Sequence, residues 1–309
     1  MKLDFLHTPP PGGYCWWYLD AFSDDGLEGL TIIAFIGSVF SPYYAWARSR
    51  GSVNPENHCA LNVALYGSQA SRWSMTERGR SALRRDSRVM HIGPSRLMLG
   101  AHTLVFDLDE WTVPIPRRIR GRIRVHPHTN FEGDFALDSA GQHLWAPRAP
   151  RAAVEVDLEV PRVQWRGAAY LDTNRGSEPL EAAFADWDWA RATHPDGRTT
   201  VHYHVRGRHG AERSLSLSFG DDGARVLPPL ARYSLAKSRW GIARTASSDP
   251  EAAPRIVATL EDTPFYARTR LQARWDGQIV DSMHESLSLT RFVRPWVQAM
   301  LPFRMPRRA

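Results

Sequence analysis

The segment AAVEVDLEV at residues 152–160 alternates apolar with acidic side chains, and this period of two is typical of a β-strand with one buried face. Glycine, proline or aspartate ends most of the segments of this kind, as turns between strands require. Helical periodicity is almost absent, and residues 177–192 fit either a short helix or a strand. The sequence therefore predicts an all-β fold. The same alternation occurs in RRIRGRIRVHPHTNFEG (117–133), RTTVHYHVRG (198–207), RSLSLSFGDDG (213–223) and PRIVATLED (254–262).

The chain of 309 residues is long enough for two β-domains, and we predict two antiparallel barrels or sandwiches in tandem. We place the boundary near Pro161, with an N-terminal domain at 1–160 and a C-terminal domain at 161–309. Tyr-Leu-Asp occurs at 18–20 and again at 170–172, which is the spacing expected of a duplicated domain. The proline-bearing stretch at 148–151 is predicted to be a loop.

The composition is rich in aromatic residues and basic. Twelve tryptophans indicate a large aromatic pocket or a lipid-facing surface in addition to core packing. The net charge of +6 comes from arginine and suits an anionic membrane surface, with an ordinary solvated basic surface as the alternative. Nucleic acid is not a predicted partner, because neither zinc-finger spacing nor an RNA-binding signature occurs.

No segment predicts export or a membrane span. The N-terminus lacks the apolar stretch of a signal peptide. The longest uncharged run, at 31–47, is shorter than the ~20 residues of a spanning helix and contains a proline, so we interpret it as a buried strand followed by a loop. We predict a cytoplasmic protein, soluble or peripheral on a membrane. The predicted lipid contacts are residues 40–46 and the basic, aromatic tail at 290–309, whose alternative is a final strand or helix with a frayed end.

The sequence contains no signature of a bound cofactor. A glycine-rich phosphate loop and a nucleophile elbow are both missing, so we predict no nucleotide. Cys15 and Cys59 form neither a metal-binding spacing nor a disulfide framework. We predict no metal, since no carboxylate at a suitable spacing completes a site with either of two histidine pairs. These pairs are His126 with His128, and His202 with His204.

Two pairs of side chains, each on one face of a predicted strand, indicate a chemical site. GQHLWAP (141–147) carries His143 and Trp145, and AYLDTN (169–174) carries Tyr170 and Asp172. If both faces line one cavity, burial among aromatic rings raises the pKa of such a carboxyl, which then acts as a general acid near neutral pH. The alternative is a turn at residues 172–176 in which the carboxylate caps local amides.

Several long motifs in this chain resemble the carotenoid 1,2-hydratases, also called hydroxyneurosporene synthases. The resemblance runs from near Tyr14 to near Phe292, with the motifs in the family's order. The motifs are GYCWWYLDAFSDDGLEGLTIIAFIGSVFSPYYAWAR (13–48), NHCALNVALYG (57–67), YLDTNRGSEPLEAAFADWDWARA (170–192) and MHESLSLTRF (283–292).

The resemblance implies a lipocalin-like architecture in two domains, with the active site at or near their interface. It also implies cofactor-free addition of water to the terminal C1–C2 double bond of an acyclic carotene such as neurosporene or lycopene. Because such a substrate resides in a bilayer, the implied location is peripheral on the inner or intracytoplasmic membrane. The catalytic residues of the family correspond here to His143, Trp145, Tyr170 and Asp172.

The implied chemistry assigns a role to each residue of this set. Asp172 protonates C2, Trp145 and Tyr170 stabilise the resulting cation, and His143 orients the water or accepts its proton. Two rivals remain: a lipocalin-like carotenoid carrier, and a pericyclase of the same fold, which needs no acid. The predicted substrate-binding residues are Trp17, Tyr18, Trp187, Asp188 and Trp189.

Overall fold

Strands dominate the secondary structure of the chain, and the predicted all-β class is confirmed. A computed structural model describes residues 3–67 and 71–308. Within these residues no helix has the length and apolar character needed to cross a bilayer. The helices are α1 (Pro42–Arg48), α2 (Leu180–Ala183), α3 (Leu289–Phe292) and α4 (Pro295–Met300), with 3₁₀ turns at Pro55–Asn57, Arg80–Ala82 and Leu301–Phe303.

The strands follow the predicted alternating segments, with several more between them. In chain order they are β1 (Tyr14–Ser23), β2 (Gly29–Ile36), β3 (Cys59–Tyr66), β4 (Arg72–Arg78), β5 (Leu83–Arg85), β6 (Val89–Ile92), β7 (Ser95–Leu99), β8 (Leu104–Trp111), β9 (Arg118–Pro127), β10 (Phe135–Ala136), β11 (His143–Val160), β12 (Val163–Gly176), β13 (Phe184–Thr193), β14 (Thr199–Gly207), β15 (Glu212–Gly220), β16 (Gly223–Val226), β17 (Ala231–Leu235), β18 (Arg244–Ser248), β19 (Arg255–Asp262), β20 (Tyr266–Trp275), β21 (Gln278–Ser288) and β22 (Arg307–Arg308).

The chain forms two compact units. The first contains Met1–Pro179 and Ala299–Ala309, and the second contains Leu180–Gln298. The predicted boundary near Pro161 lies in the turn between β11 and β12, which are hydrogen-bonded neighbours in one sheet. Because this hairpin holds β12 in the first unit, the units divide later in the chain than the boundary predicted at residues 160/161.

The first unit contains a curled, mainly antiparallel sheet. The strands run in the order β22-β4-β3-β2-β1-β12-β11-β9-β8-β7-β6-β5, with β10 paired to β11. The predicted buried strand within residues 31–47 is present as β2, all of whose residues are buried, but α1 forms where we expected only a loop. The predicted loop at 148–151 is also wrong, since these residues continue β11 through two shifts of register.

One face of this sheet, which we call the core face, carries the hydrophobic core of the first unit. Leu19 of β1 lies between Ile32 of β2 and Leu171 of β12, and all three side chains are fully buried. Each such burial contributes about 1.5–3 kcal/mol to the free energy of unfolding. Phe5 and Trp17 extend this core through an edge-to-face contact with ring centroids 5.7 Å apart.

The opposite face of the same strands, which we call the polar face, carries the alternate residues. On β1 these include Tyr18 and Asp20, and on β12 they include Tyr170 and Asp172. All four are buried, and the two aspartates are at most 4% exposed. Burying polar groups costs folding free energy unless they form hydrogen bonds. The polar face is therefore where this sequence gives up stability.

The second unit contains an antiparallel sheet with the order β16-β15-β14-β13-β21-β20-β19, and a separate pair formed by β17 and β18. Both predictions for residues 177–192 hold, since this segment contains α2 followed by most of β13. The core of this unit includes Ala190, Ala192, Ala273, Trp275 and Val280.

His202 in the second unit should make stability depend on pH. Burial lowers its pKa from 6.5 to about 3, and its ring nitrogen Nδ1 lies 3.0 Å from Ser216 Oγ. Between pH 7 and pH 5 the unfolded chain therefore takes up a proton at this position and the native chain does not. We expect His202 to reduce the free energy of unfolding by about 2 kcal/mol over this interval.

Urea denaturation of the wild type and His202→Gln at both pH values measures this contribution. The variant should lose about 2 kcal/mol less stability on acidification, and the other histidines serve as an internal control because both proteins retain them. The same pH dependence in both proteins would show that His202 is accessible to protons in the native state.

Candidate active site

The Asp172 carboxyl lies on the polar face of β12 and is 4% exposed. Its Oδ2 accepts hydrogen bonds from the indole Nε1–H of Trp145 at 2.9 Å and from the Tyr170 hydroxyl at 3.0 Å. Its Oδ1 accepts a longer bond of 3.3 Å from Asn174 Nδ2. Residues 172–176 continue β12, so the alternative in which Asp172 caps a turn is wrong. Two strong donors thus converge on one oxygen of this acid.

Tyr170 is fully buried on the same strand, two residues before Asp172. Burial raises the pKa of its phenol well above the usual value, and the hydrogen bond to Asp172 raises it further. The phenol therefore keeps its proton at any physiological pH and remains the donor of the hydrogen bond to Asp172.

His143 and Trp145 reach the polar face because of a β-bulge. His143 pairs with Gly176 and Trp145 with Asn174, and the register then shifts between Ala146 and Ala149. After this shift Ala149 pairs with Leu171 on the core face, whereas His143 and Trp145 before it lie on the polar face with Asp172. Both side chains are fully buried.

The His143 ring is held at both nitrogens. Its Nδ1 lies 2.9 Å from the Tyr14 hydroxyl, and its Nε2 lies 3.3 Å from Oε1 of Glu178, whose side chain is 37% exposed. Gly176 is required here, because a Cβ at that position would come within 2.4 Å of the Tyr14 ring and 2.8 Å of His143 Nδ1. His143 thus connects the buried row of residues to a carboxylate that contacts solvent.

The repeated Tyr-Leu-Asp forms two neighbouring strands of one sheet, not one strand in each of two domains. Tyr18 pairs with Asp172 and Asp20 with Tyr170 in the antiparallel register of β1 and β12. Within each copy the tyrosine hydroxyl donates to Oδ2 of its own aspartate at 3.0 Å. Asp20, fully buried, is therefore a second acid of the site that we did not predict. The repeat itself was the signal that could have identified it.

Asn174 and Trp16 also belong to the site and were not predicted. Asn174 pairs with Trp145 on one side and with Trp16 on the other, so its amide lies between two indoles on the polar face. The signal for Asn174 was its position two residues beyond Asp172, which places both on one face of a strand.

All but one of the predicted site residues in the first unit share the polar face. His143, Trp145, Tyr170, Asp172 and Tyr18 share the polar face, whereas the Trp17 indole lies in the core of the first unit. The remaining predicted substrate-binding residues, Trp187, Asp188 and Trp189, belong to β13 of the second unit.

Asp188 has a structural environment within the second unit. Its carboxylate accepts hydrogen bonds from Ser286, Thr245 and Arg232, the last at 2.8 Å. Hydrogen bonds thus occupy both oxygens of this carboxylate, which suits an anchor between strands.

No group of three or more His, Cys, Asp or Glu side chains in residues 3–67 and 71–308 is arranged to hold a metal ion. In the second unit, His202 Nδ1 lies near Ser216, and His204 Nδ1 lies 2.9 Å from Ser214 Oγ. The groups that converge on Asp172 are hydrogen-bond donors and aromatic rings. Such an arrangement can deliver a proton to an apolar molecule and stabilise a cation beside it.

Comparison with known proteins gives a consistent result. The carotenoid hydratase family CrtC matches residues 32–309. The acyclic carotenoid 1,2-hydratase of Thiocapsa roseopersicina is 56% identical over 96% of this chain and 74% of its own length. That of Rubrivivax gelatinosus is 50% identical over 99% of this chain and 76% of its own length.

Solved structures share the fold at low sequence identity. A candidate AttH protein of Nitrosomonas europaea aligns with a TM-score of 0.64 at 16% identity, covering 90% of this chain and 92% of its own. Kievitone hydratase from Nectria haematococca aligns with a TM-score of 0.54 at 11% identity, covering 91% and 90%. At such identities these likenesses concern the fold alone.

Proposed function

Since the chain belongs to the CrtC family of carotenoid hydratases, we propose a reaction at the terminal C1–C2 double bond of an acyclic carotene, with Asp172 as the proton donor. The enzyme is a hydro-lyase that acts on carotenoids. One observation supports Asp172 as the proton donor. Its carboxyl is buried on the polar face, and two hydrogen-bond donors converge on its Oδ2.

The first step of the proposed reaction is transfer of a proton from Asp172 to C2. The O–H bond breaks, the π electrons of the alkene form the new C–H bond, and a tertiary cation remains at C1. An isolated alkene is a weak base, so the acid has to be neutral and removed from water. Burial of Asp172 favours this neutral form, and the neighbouring buried Asp20 favours it further, because two like charges in one site oppose each other.

Negative charge develops on Asp172 as the proton leaves. The Trp145 indole N–H and the Tyr170 hydroxyl already point at Oδ2, so they stabilise this charge without reorganisation. Interactions that strengthen in the transition state are the ones that accelerate a reaction. This accounts for an aspartate that is buried and yet hydrogen-bonded to strong donors.

The second step is capture of the cation by water. Aromatic rings next to Asp172 on the polar face, those of Trp145, Tyr170 and Tyr18, offer π faces to the positive charge, an interaction worth ~2 kcal/mol or more where water is excluded. The water oxygen bonds to C1, and the proton it loses returns to the Asp172 carboxylate. Oxygen and both hydrogens come from water, so the proposed reaction needs no cofactor. His143 and Glu178 provide a route for protons between the site and solvent.

Neurosporene and lycopene are the proposed substrates, because both end in the trisubstituted double bond that this chemistry needs. The deciding experiment is chromatography and mass spectrometry of carotenoids from cells that make either compound, with and without the protein. We expect a more polar product that is heavier by one water. Unchanged carotenoid bound to purified protein would instead favour the carrier, and an isomer of equal mass would favour a pericyclase.

We also propose peripheral contact with membrane lipid at the end of α1, because the substrate is dissolved in the bilayer. Trp46 there is 59% exposed, and the Arg50 guanidinium lies 3.6 Å from the centroid of its ring. An exposed indole with a cation stacked on it suits the interface of an anionic membrane.

Trp46→Ser should weaken binding to vesicles of anionic phospholipid by about tenfold or more, since burial of a large apolar side chain is worth about 1.5–3 kcal/mol and tenfold corresponds to about 1.4 kcal/mol. Trp111→Ser is the matched control, because Trp111 is also exposed beside an arginine but lies on β8. Cosedimentation with vesicles measures both. Equal losses in the two variants, or none, would exclude Trp46 as the contact.

A further inference from the structure

We propose that Asn174 binds the water molecule that attacks the cation, an inference that rests on the proposed hydration at Asp172. Asn174 is 3% exposed, and its Oδ1 has no hydrogen-bond partner in the described part of the chain. A buried carbonyl oxygen without a partner is costly, which makes it a specific site for a small donor such as water.

The amide of Asn174 is oriented by the acid itself. Its Nδ2 donates to Asp172 Oδ1 at 3.3 Å, so Oδ1 of the amide points elsewhere on the polar face. A water that donates one hydrogen to this oxygen keeps its lone pairs for C1. The proton that this water loses on bonding to C1 has Asp172, one side chain away, as its acceptor.

The surroundings of Asn174 suit both water and a cation. The amide lies between the indoles of Trp16 and Trp145, whose strand positions pair with it on either side.

The test separates water capture from proton transfer. In D₂O, Asp172 donates a deuteron to C2; a cation that is not captured loses a proton from C2 or from a C1 methyl group to the Asp172 carboxylate. The carotene recovered then carries deuterium, or has its double bond moved. Mass spectrometry of the hydrated product and of the recovered carotene gives the ratio of hydration to exchange.

Asn174→Leu should lower the ratio of hydration to exchange by about tenfold or more. This is the rate factor expected when one hydrogen bond to the attacking water is lost. Asn62→Leu, which removes a buried amide on β3 that donates to the Ser74 carbonyl, should leave the ratio unchanged. If Asn174→Leu does not fold, Asn174→Ala is measured in the same way, and the same fall is expected.

Three results would contradict the inference. The first is a wild type that hydrates the carotene and an Asn174→Leu variant in which hydration and exchange fall by the same factor. Asn174 would then act only through Asp172, and the water-binding role would be excluded. If neither changes, Asn174 has no part in the reaction. A wild type that forms no hydrated carotene overturns the proposed function, and the inference fails with it.

Discussion

Asp172→Asn is expected to lower the rate of carotene hydration by about 10⁴-fold, the upper range for loss of a general acid. The amide matches the carboxyl in shape and can still accept the hydrogen bonds of Trp145 and Tyr170, but it has no proton to give to C2. The fold should therefore persist while the chemistry stops. Initial rates with lycopene in detergent or liposomes measure the loss, and near-ultraviolet circular dichroism confirms the fold.

Asp157→Asn serves as the control for this substitution. Asp157 lies on β11 of the same sheet, is exposed, and accepts a hydrogen bond from Gln164, so its variant should hydrate at the wild-type rate. If Asp172→Asn retains substantial hydration, the acid lies elsewhere. Asp20 would then be the next candidate, because it is buried on the same face with a tyrosine donor of its own.

Trp145→Phe is expected to lower the hydration rate by about 10²-fold, the usual cost of removing one donor to a developing negative charge. The substitution retains an aromatic ring for the cation but removes the N–H that donates to Asp172 Oδ2. Because the donor matters most in the transition state, the loss should fall on kcat and leave KM nearly unchanged.

The matched control is Trp165→Phe on β12, since that indole packs against the core face of the same strand and does not reach the acid. Steady-state rates of both variants provide the comparison. A fall in the hydration rate of less than about threefold for Trp145→Phe would contradict this role. The Trp145 ring would then only line the site, without its N–H contributing to the reaction.

Local pattern predicted the strands well but not how they pair. Alternation identified the faces of His143 with Trp145 and of Tyr170 with Asp172, because side-chain direction in a strand depends on spacing alone. The bulge after Ala146 was missed, since the prolines in that stretch resemble those of a loop.

The pairing of strands that are distant in the chain also could not be predicted from the sequence. The two Tyr-Leu-Asp copies lie about half the chain apart, and only the register of β1 with β12 shows that Asp20 faces Tyr170. Contacts so far apart in the chain are set by the whole sheet and not by local spacing. The same register sets Asn174 between Trp16 and Trp145, which is why the proposed water site emerged only with the fold.

The central claim is that Asp172 adds a solvent-derived proton to C2 and that water then supplies the oxygen at C1. The most direct measurement is mass spectrometry and NMR of the product that purified enzyme forms from lycopene, in D₂O and separately in H₂¹⁸O. The account predicts one carbon-bound deuterium, at C2, and an oxygen from the solvent. A hydrated product without deuterium on carbon would contradict it.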